Sequence, residues 1–126
     1  MSNALIEERP PTSEEIANAL AAFVLAVRSD YGRRIHDIVL FGSRARGDHR
    51  PDSDADVAVV LEDGDWRFWA EKMHLADLTY DPMMEFGLRI QPWPIDVRGW
   101  QCPSLAQSPR LVEAMKRDGR TLLGPP

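Results

Sequence analysis

With 126 residues, 44% hydrophobic and 28% charged, the chain has the size and balance of one average folded domain. That excludes wholesale disorder, a collagen-like repeat and a coiled coil. Fifteen Lys and Arg against twenty Asp and Glu leave a net charge of −5, which argues against a protein that coats nucleic acid. The lone cysteine, Cys102, excludes an internal disulfide and fits a reducing cytoplasm. Met1 to Glu15 has no basic stretch ahead of an apolar one, so no secretory leader is expected. The most apolar run, Ile16 to Val27, falls well short of the roughly twenty residues that span a bilayer. The expectation is a single cytoplasmic domain over 1–126, with a loose lead-in at 1–11, a tail at 124–126 and no membrane contact.

In chain order, Thr12 or Ser13 can cap a first helix whose positive end suits Glu14 and Glu15. Ile16, Leu20, Phe23, Val24 and Val27 then form one apolar stripe at helical spacing, and Gly32 stands near its end. Ile35 to Phe41 is short and β-branched and halts at Gly42, as a buried strand does. Residues 42–53 read as a turn with a short helical turn after Ser43. Roughly Ala55 to Leu61 reads as a second strand, with Val57, Val59 and Leu61 on one face and Asp54, Asp56, Ala58 and Val60 on the other. After a turn at 62–65, a helix from near Trp66 presents Trp66, Trp69, Met73, Ala76 and Tyr80 on one side. Pro82 kinks it and Gly87 ends it. A third strand is expected at Ile95 to Arg98, preceded by Leu88 to Gln91, and Pro92 and Pro94 make it an interrupted or edge strand. Ser108 and Pro109 start a last helix, Arg110 to Arg117, that Asp118-Gly119 stops, and Thr121 to Leu123 reads as a final short strand. This order predicts an α/β (α+β) fold, a small mixed sheet with flanking helices.

Three features carry chemistry. Asp54 and Asp56, two apart at the head of a strand, project from one face about 6.6 Å apart along it. Carboxylates so placed repel unless a cation lies between them, and hard divalent ions such as Mg²⁺ take oxygen ligands. Alone, an Asp-x-Asp before a strand reads better as solvated turn residues, and the signal is weak. Gly42-Ser43 ends the first strand, where a sharp turn exposes N–H groups and a hydroxyl to phosphate oxygens, and Arg44 and Arg46 can add charge-assisted bonds. An ordinary Gly-Ser turn with surface arginines has the same sequence. Asp96, between Ile95 and Val97, points away from the core side and converges on the other two carboxylates if its strand pairs beside theirs.

Jointly, Leu40-Phe41-Gly42-Ser43-Arg44-Ala45-Arg46-Gly47, then Ser53-Asp54-Ala55-Asp56-Val57, and a later apolar-Asp-apolar at Asp96 resemble the DNA polymerase β-like nucleotidyltransferases, and among them the minimal nucleotidyltransferases. The resemblance runs from about Ile16 to Leu123. It implies the polymerase β-like fold and metal ligation by Asp54, Asp56 and Asp96, with Asp96 also the base for the acceptor hydroxyl. It further implies that Gly42 and Ser43, helped by Arg44 and Arg46, hold the triphosphate. The implied cofactor is Mg²⁺, or Mn²⁺, and the donor is ATP. Minimal nucleotidyltransferases are often antitoxins that adenylylate a tyrosine on a helical HEPN-type toxin, so such a partner and a homo- or hetero-oligomer are expected, without direct nucleic-acid binding. The alternatives are a small-molecule, aminoglycoside-like nucleotidyltransferase and a non-catalytic antitoxin that neutralises by covering. The pair Pro92 and Pro94 departs from the family pattern, and Asp48 and Asp52 read as solvated turn residues. His36, His49 and His74 lack metal-ligand spacing. Trp66 and Trp69 read as core or subunit-interface residues, Met83, Met84 and Phe86 as core or partner surface, and Cys102 is unassigned.

Overall fold

The computed structural model describes residues 9–62, 64 and 66–124. Most of the lead-in, Asp63 and Asp65 of the turn, and Pro125-Pro126 of the tail lie outside the described residues. Helix α1 spans Ser13–Tyr31 behind a capping box, in which the Thr12 hydroxyl accepts from the Glu15 N–H and the Glu15 carboxylate accepts from the Thr12 N–H. Strand β1 spans Ile35–Phe41, the single turn α2 Ser43–Arg46, strand β2 Ala55–Leu61, and helices α3 and α4 Phe68–Leu78 and Tyr80–Phe86. Strand β3 covers Ile90–Asp96, α5 Val97–Gln101, α6 Pro109–Asp118 and the short β4 Arg120–Thr121. The sheet order is β3-β2-β1-β4, with β1 antiparallel to both neighbours and β2 parallel to β3, so the expected mixed sheet with flanking helices is found.

Both faces of the sheet are covered. Ala19, Phe23, Val27 and Tyr31 of α1 meet Leu75 of α3 over Ile38, Val57, Val59, Leu61 and Ile90. On the opposite face Met115 and Leu111 of α6 and Trp100 of α5 pack on Val39, Phe41, Ala58, Trp93 and Ile95. A parallel pair buried on both sides needs a near-continuous apolar run, and β2 supplies one, with Asp56 its only half-exposed residue. Among the described residues no helix is long and apolar enough to cross a membrane.

Three elements differ in detail from what the sequence predicts. The third strand is Ile90–Asp96 rather than Ile95 to Arg98, and Val97 opens a helix instead of facing inward from a strand. Both prolines lie within β3, which is possible because β3 is an edge strand. Neighbouring residues point their N–H groups alternately toward and away from the sheet, so Pro92 and Pro94 together place their missing donors on the open side. The central helix starts at Phe68, not Trp66, and buries Leu75 rather than the Trp69–Met73–Tyr80 side. The last ladder is Arg120–Thr121, extended by the Leu122 N–H to the Ile38 carbonyl at 2.7 Å.

Candidate active site

The turn after β1 is built around Gly42, at φ 75° and ψ −155°, a backbone region that side-chain-bearing residues rarely adopt. A Cβ at this position would stand 2.5 Å from Asp56 Oδ2, so the absent side chain is what lets the carboxylate lie against the turn. Register brings them together, since Phe41 pairs with Asp56 across the β1–β2 ladder. Ser43 then opens α2, whose first N–H groups have no preceding helical carbonyl to meet. The two arginines diverge. Arg46 is exposed and bridges Asp48 at 3.1 Å and Asp118 at 3.7 Å, tying α2 to the end of α6.

Arg44 is 8% exposed, and its guanidinium donates to the Ser53 and Pro51 carbonyls at 2.9 and 3.0 Å. Burial pulls its pKa down against the charges of Asp54 and Asp52. Arg44 is not the free surface cation the sequence suggests: it staples the 47–54 loop and so fixes where Asp54 begins. Asp48, His49 and Asp52 are exposed turn residues.

Asp54 and Asp56 are both half-buried. Burial pushes the Asp56 carboxyl upward and the Asp54 charge adds to it, while Lys72 and Arg46 oppose the rise. Asp96 does not join them. Parallel pairing sets Gln91 opposite Asp56 and Asp96 opposite Leu61, five residues on and about 16 Å along the sheet. Its carboxylate instead caps α5 by accepting from the Arg98 N–H at 2.9 Å and pairs with the Arg98 guanidinium at 3.1 Å, which lowers its pKa. Convergence of three carboxylates is therefore corrected to convergence of two. Among the described residues no three His, Cys, Asp or Glu side chains gather as a metal set.

Two residues at the site escape sequence reasoning. Gln91 occupies the position beside Asp56 that a third acid would need, and its Nε2 donates to Asp54 Oδ2 at 3.3 Å. Lys72 of α3 reaches round the open edge of β3, donates to the outward carbonyl of Pro92 and lies 4.1 Å from the centre of the Trp93 ring. Burial lowers its pKa and the Asp56 charge raises it, so this ammonium faces the carboxylate site electrostatically. Neither carries a local signal, since both depend on how β3 registers against β2.

The other candidates fall elsewhere. His36 contacts Glu62 at 3.3 Å and His74 contacts Asp30 at 2.9 Å, while Cys102 is exposed. Trp66 is half-buried against the core with Phe86, whereas Trp69 is 71% exposed. A cavity of about 590 Å³ lies between the far end of β3 and α6, lined by Trp66, Trp93, Asp96 and Leu111, and none of Gly42, Ser43, Asp54, Asp56 or Gln91 lines it.

A glycine-serine turn pressed against the second carboxylate of an Asp-x-Asp, on adjacent strands of a mixed sheet, defines the nucleotidyltransferase class. The chain belongs to that nucleotidyltransferase domain family, whose description matches residues 20–119. Over 72 residues it is 39% identical to a Methanocaldococcus jannaschii protein whose name gives protein adenylyltransferase as a provisional activity. That match covers 57% of this chain and 65% of the relative's length. The fold resembles a provisionally assigned nucleotidyltransferase of Sulfolobus solfataricus, with TM-score 0.55, 18% identity and 86% and 82% of the two chains covered. It also resembles a chain from a crystal structure described as a toxin-antitoxin with AMP-PNP, with TM-score 0.55, 21% identity and coverage of 82% and 72%.

Proposed function

We propose that the chain transfers AMP from ATP to a hydroxyl of a partner protein, a tyrosine of a helical HEPN-type toxin, and acts as its antitoxin. The observation that carries this reading is the packing of the Asp56 carboxylate on Gly42, with Asp54 two residues before it and the Ser43 turn beside it. Asp54 and Asp56 fit a divalent ion: they are two hard oxygen donors, and their mutual repulsion and the burial of Asp56 favour a cation between them. When bound, Mg²⁺ would offset the negative charge of the triphosphate. The turn at Gly42-Ser43 offers N–H groups and a hydroxyl to phosphate oxygens, and Arg46 and Lys72 add positive charge around the carboxylates. In the transfer the acceptor oxygen bonds to the α-phosphorus, the bond from that phosphorus to the bridging oxygen breaks, and pyrophosphate leaves.

The hydroxyl proton needs an acceptor, and Asp96 is too far away to serve. With Gln91 in the third position, the proton goes to water or to a base on the partner. A phenol, with a pKa near 10, loses its proton with far less help than an aliphatic alcohol, so this site suits tyrosine better than a sugar hydroxyl. The M. jannaschii relative, named for protein adenylylation, and the toxin-antitoxin neighbour support the reading. Incubating the purified chain with labelled ATP and Mg²⁺, with and without the product of the neighbouring gene, tests it. Label on the partner, absent with Asp56→Asn, is the expected result. An inhibited but unlabelled partner points to covering alone, and labelling of an aminoglycoside by this chain alone moves the activity to small molecules.

A further inference from the structure

The helical stretch Phe68–Phe86 is apolar on two sides, and the fold uses one of them. Leu75, Leu78 and Phe86 pack into the core. Thr79 joins α3 to α4 at φ −83° and ψ −12°, within right-handed helical geometry, so the spacing carries across the join. On the outer side Trp69, Met73, Tyr80 and Met84 are 71, 63, 57 and 65% exposed, with exposed Ala76 among them. Single exposed apolar residues are ordinary, but large ones four, seven and four apart, with Ala76 filling the longer gap, make the kind of seam on which a second helix lies. One position further round, at each of the last three places, stand Asp77, Asp81 and Glu85, all exposed. Among the described residues none of these three carboxylates has a hydrogen bond or ion-pair partner.

We propose that this face docks a helix of another protein, apolar along one stripe and rich in Lys and Arg along the edge that meets Asp77, Asp81 and Glu85. The charges select the occupant. Two copies of this chain packed antiparallel would set one acidic row against the other, a repulsive arrangement. Packed parallel, each acidic row would meet the other flank of the seam, where Thr79 and Met83 are uncharged and Lys72 is already bound to the Pro92 carbonyl. A basic amphipathic helix satisfies both the apolar row and the acids. Lys72, on the other flank of the seam, ties α3 to the β3 edge next to Gln91 and feels the Asp56 charge, so one end of this face lies near the carboxylate site. As an account of the acceptor-bearing partner this rests on the function proposed above; as a docking surface it does not.

The test therefore omits ATP and metal. Three synthetic helical peptides of equal length serve as probes: a Leu/Ile stripe with a Lys/Arg flank, the same stripe with a Glu flank, and the Lys/Arg flank with Ser replacing the stripe. Saturable binding of the first, at a Kd of order micromolar, is expected by titration calorimetry, with the other two at least tenfold weaker. Trp69→Ser/Met73→Ser and Asp77→Lys/Asp81→Lys should each weaken it at least tenfold with unchanged thermal unfolding. Absence of saturable binding, equal binding of the acidic peptide, or equal binding of the stripe-less peptide overturns the proposal. So does a dimer of this chain that the Trp69/Met73 change dissolves. Peptide binding without AMP transfer to the partner would overturn the proposed function and leave the docking surface standing.

Discussion

Asp56 shows most directly how the site trades stability for chemistry. Its carboxyl is pushed upward by burial and by Asp54, so the fold disfavours the ionised form that the site needs. The cost is present at neutral pH and disappears as pH falls below the ordinary carboxylate value, where the group is protonated in folded and unfolded chains alike. Asp56→Asn should therefore melt higher than the wild type at pH 7 without metal, equal it near pH 3, and lose at least 10²-fold in transfer, as thermal unfolding and an AMP-transfer assay would show. Asp96 makes the opposite case. Its carboxylate caps α5 and pairs with Arg98, and Asn caps as well as Asp, so Asp96→Asn should keep transfer within about twofold and lower the melting temperature slightly at pH 7, where the Arg98 ion pair is lost. Asp96→Ala should cost about 1 kcal/mol of stability and still transfer. A folded Asp96→Asn protein without turnover would return that residue to the chemistry. Gly42→Ala combines a left-handed backbone with a clash on the Asp56 carboxylate, and should lose both about 1–3 kcal/mol of stability and most transfer.

At the scale of elements, β3 is the informative one. An edge strand with two prolines is blunted against pairing with other chains, and Lys72 covers its outward carbonyl at Pro92. The same ammonium favours the ionised form of Asp56. Lys72→Met keeps the length of the side chain and removes the charge. It should cost about 1 kcal/mol through the lost hydrogen bond and the contact with Trp93. It should also raise the Asp56 pKa further, so the acidic limb of the transfer pH profile moves to higher pH. A profile that stays in place would show that Lys72 serves the strand alone. The helices above it illustrate an ambiguity of pattern: α3 carries Leu75 and Leu78 on one side and Trp69 and Met73 on another. Spacing alone fits either side inward, and the packing of α1 against the sheet decides between them.

For the whole molecule, what surrounds the site governs what it can grip. The carboxylates sit at one end of a four-stranded sheet, and the cavity is lined by none of Gly42, Ser43, Asp54, Asp56 or Gln91. Positioning supplies several kcal/mol in reactions between two molecules, and that cavity holds no acceptor against Asp54 or Asp56. Transfer to free tyrosine amide or to an aminoglycoside should therefore run at least 10²-fold slower, in kcat/KM, than transfer to a docked protein acceptor. Comparable rates would show that the chain encloses a small acceptor by itself.

Much of this was legible in the amino-acid order, for local reasons. The Thr12 cap and its stripe, the strands at Ile35–Phe41 and Ala55–Leu61, the turn at Gly42-Ser43 and the pair Asp54 and Asp56 all depend on residues near one another in the chain. The antiparallel return over residues 42–54 also brings the turn to the carboxylates, since Phe41 pairs with Asp56. What lay beyond reach were contacts between distant segments. The apolar-Asp-apolar pattern at Asp96 marks a strand end but carries no register, and parallel pairing across an intervening pair of helices placed Gln91, not Asp96, beside Asp56. Arg44 reads as a surface cation until the loop carbonyls of Pro51 and Ser53 fold over it. Sequence by itself determined α1, β1, β2 and the two carboxylates, because periodicity and turn chemistry are local. Tertiary structure alone decided which third residue meets them, because register is set by what the whole sheet buries.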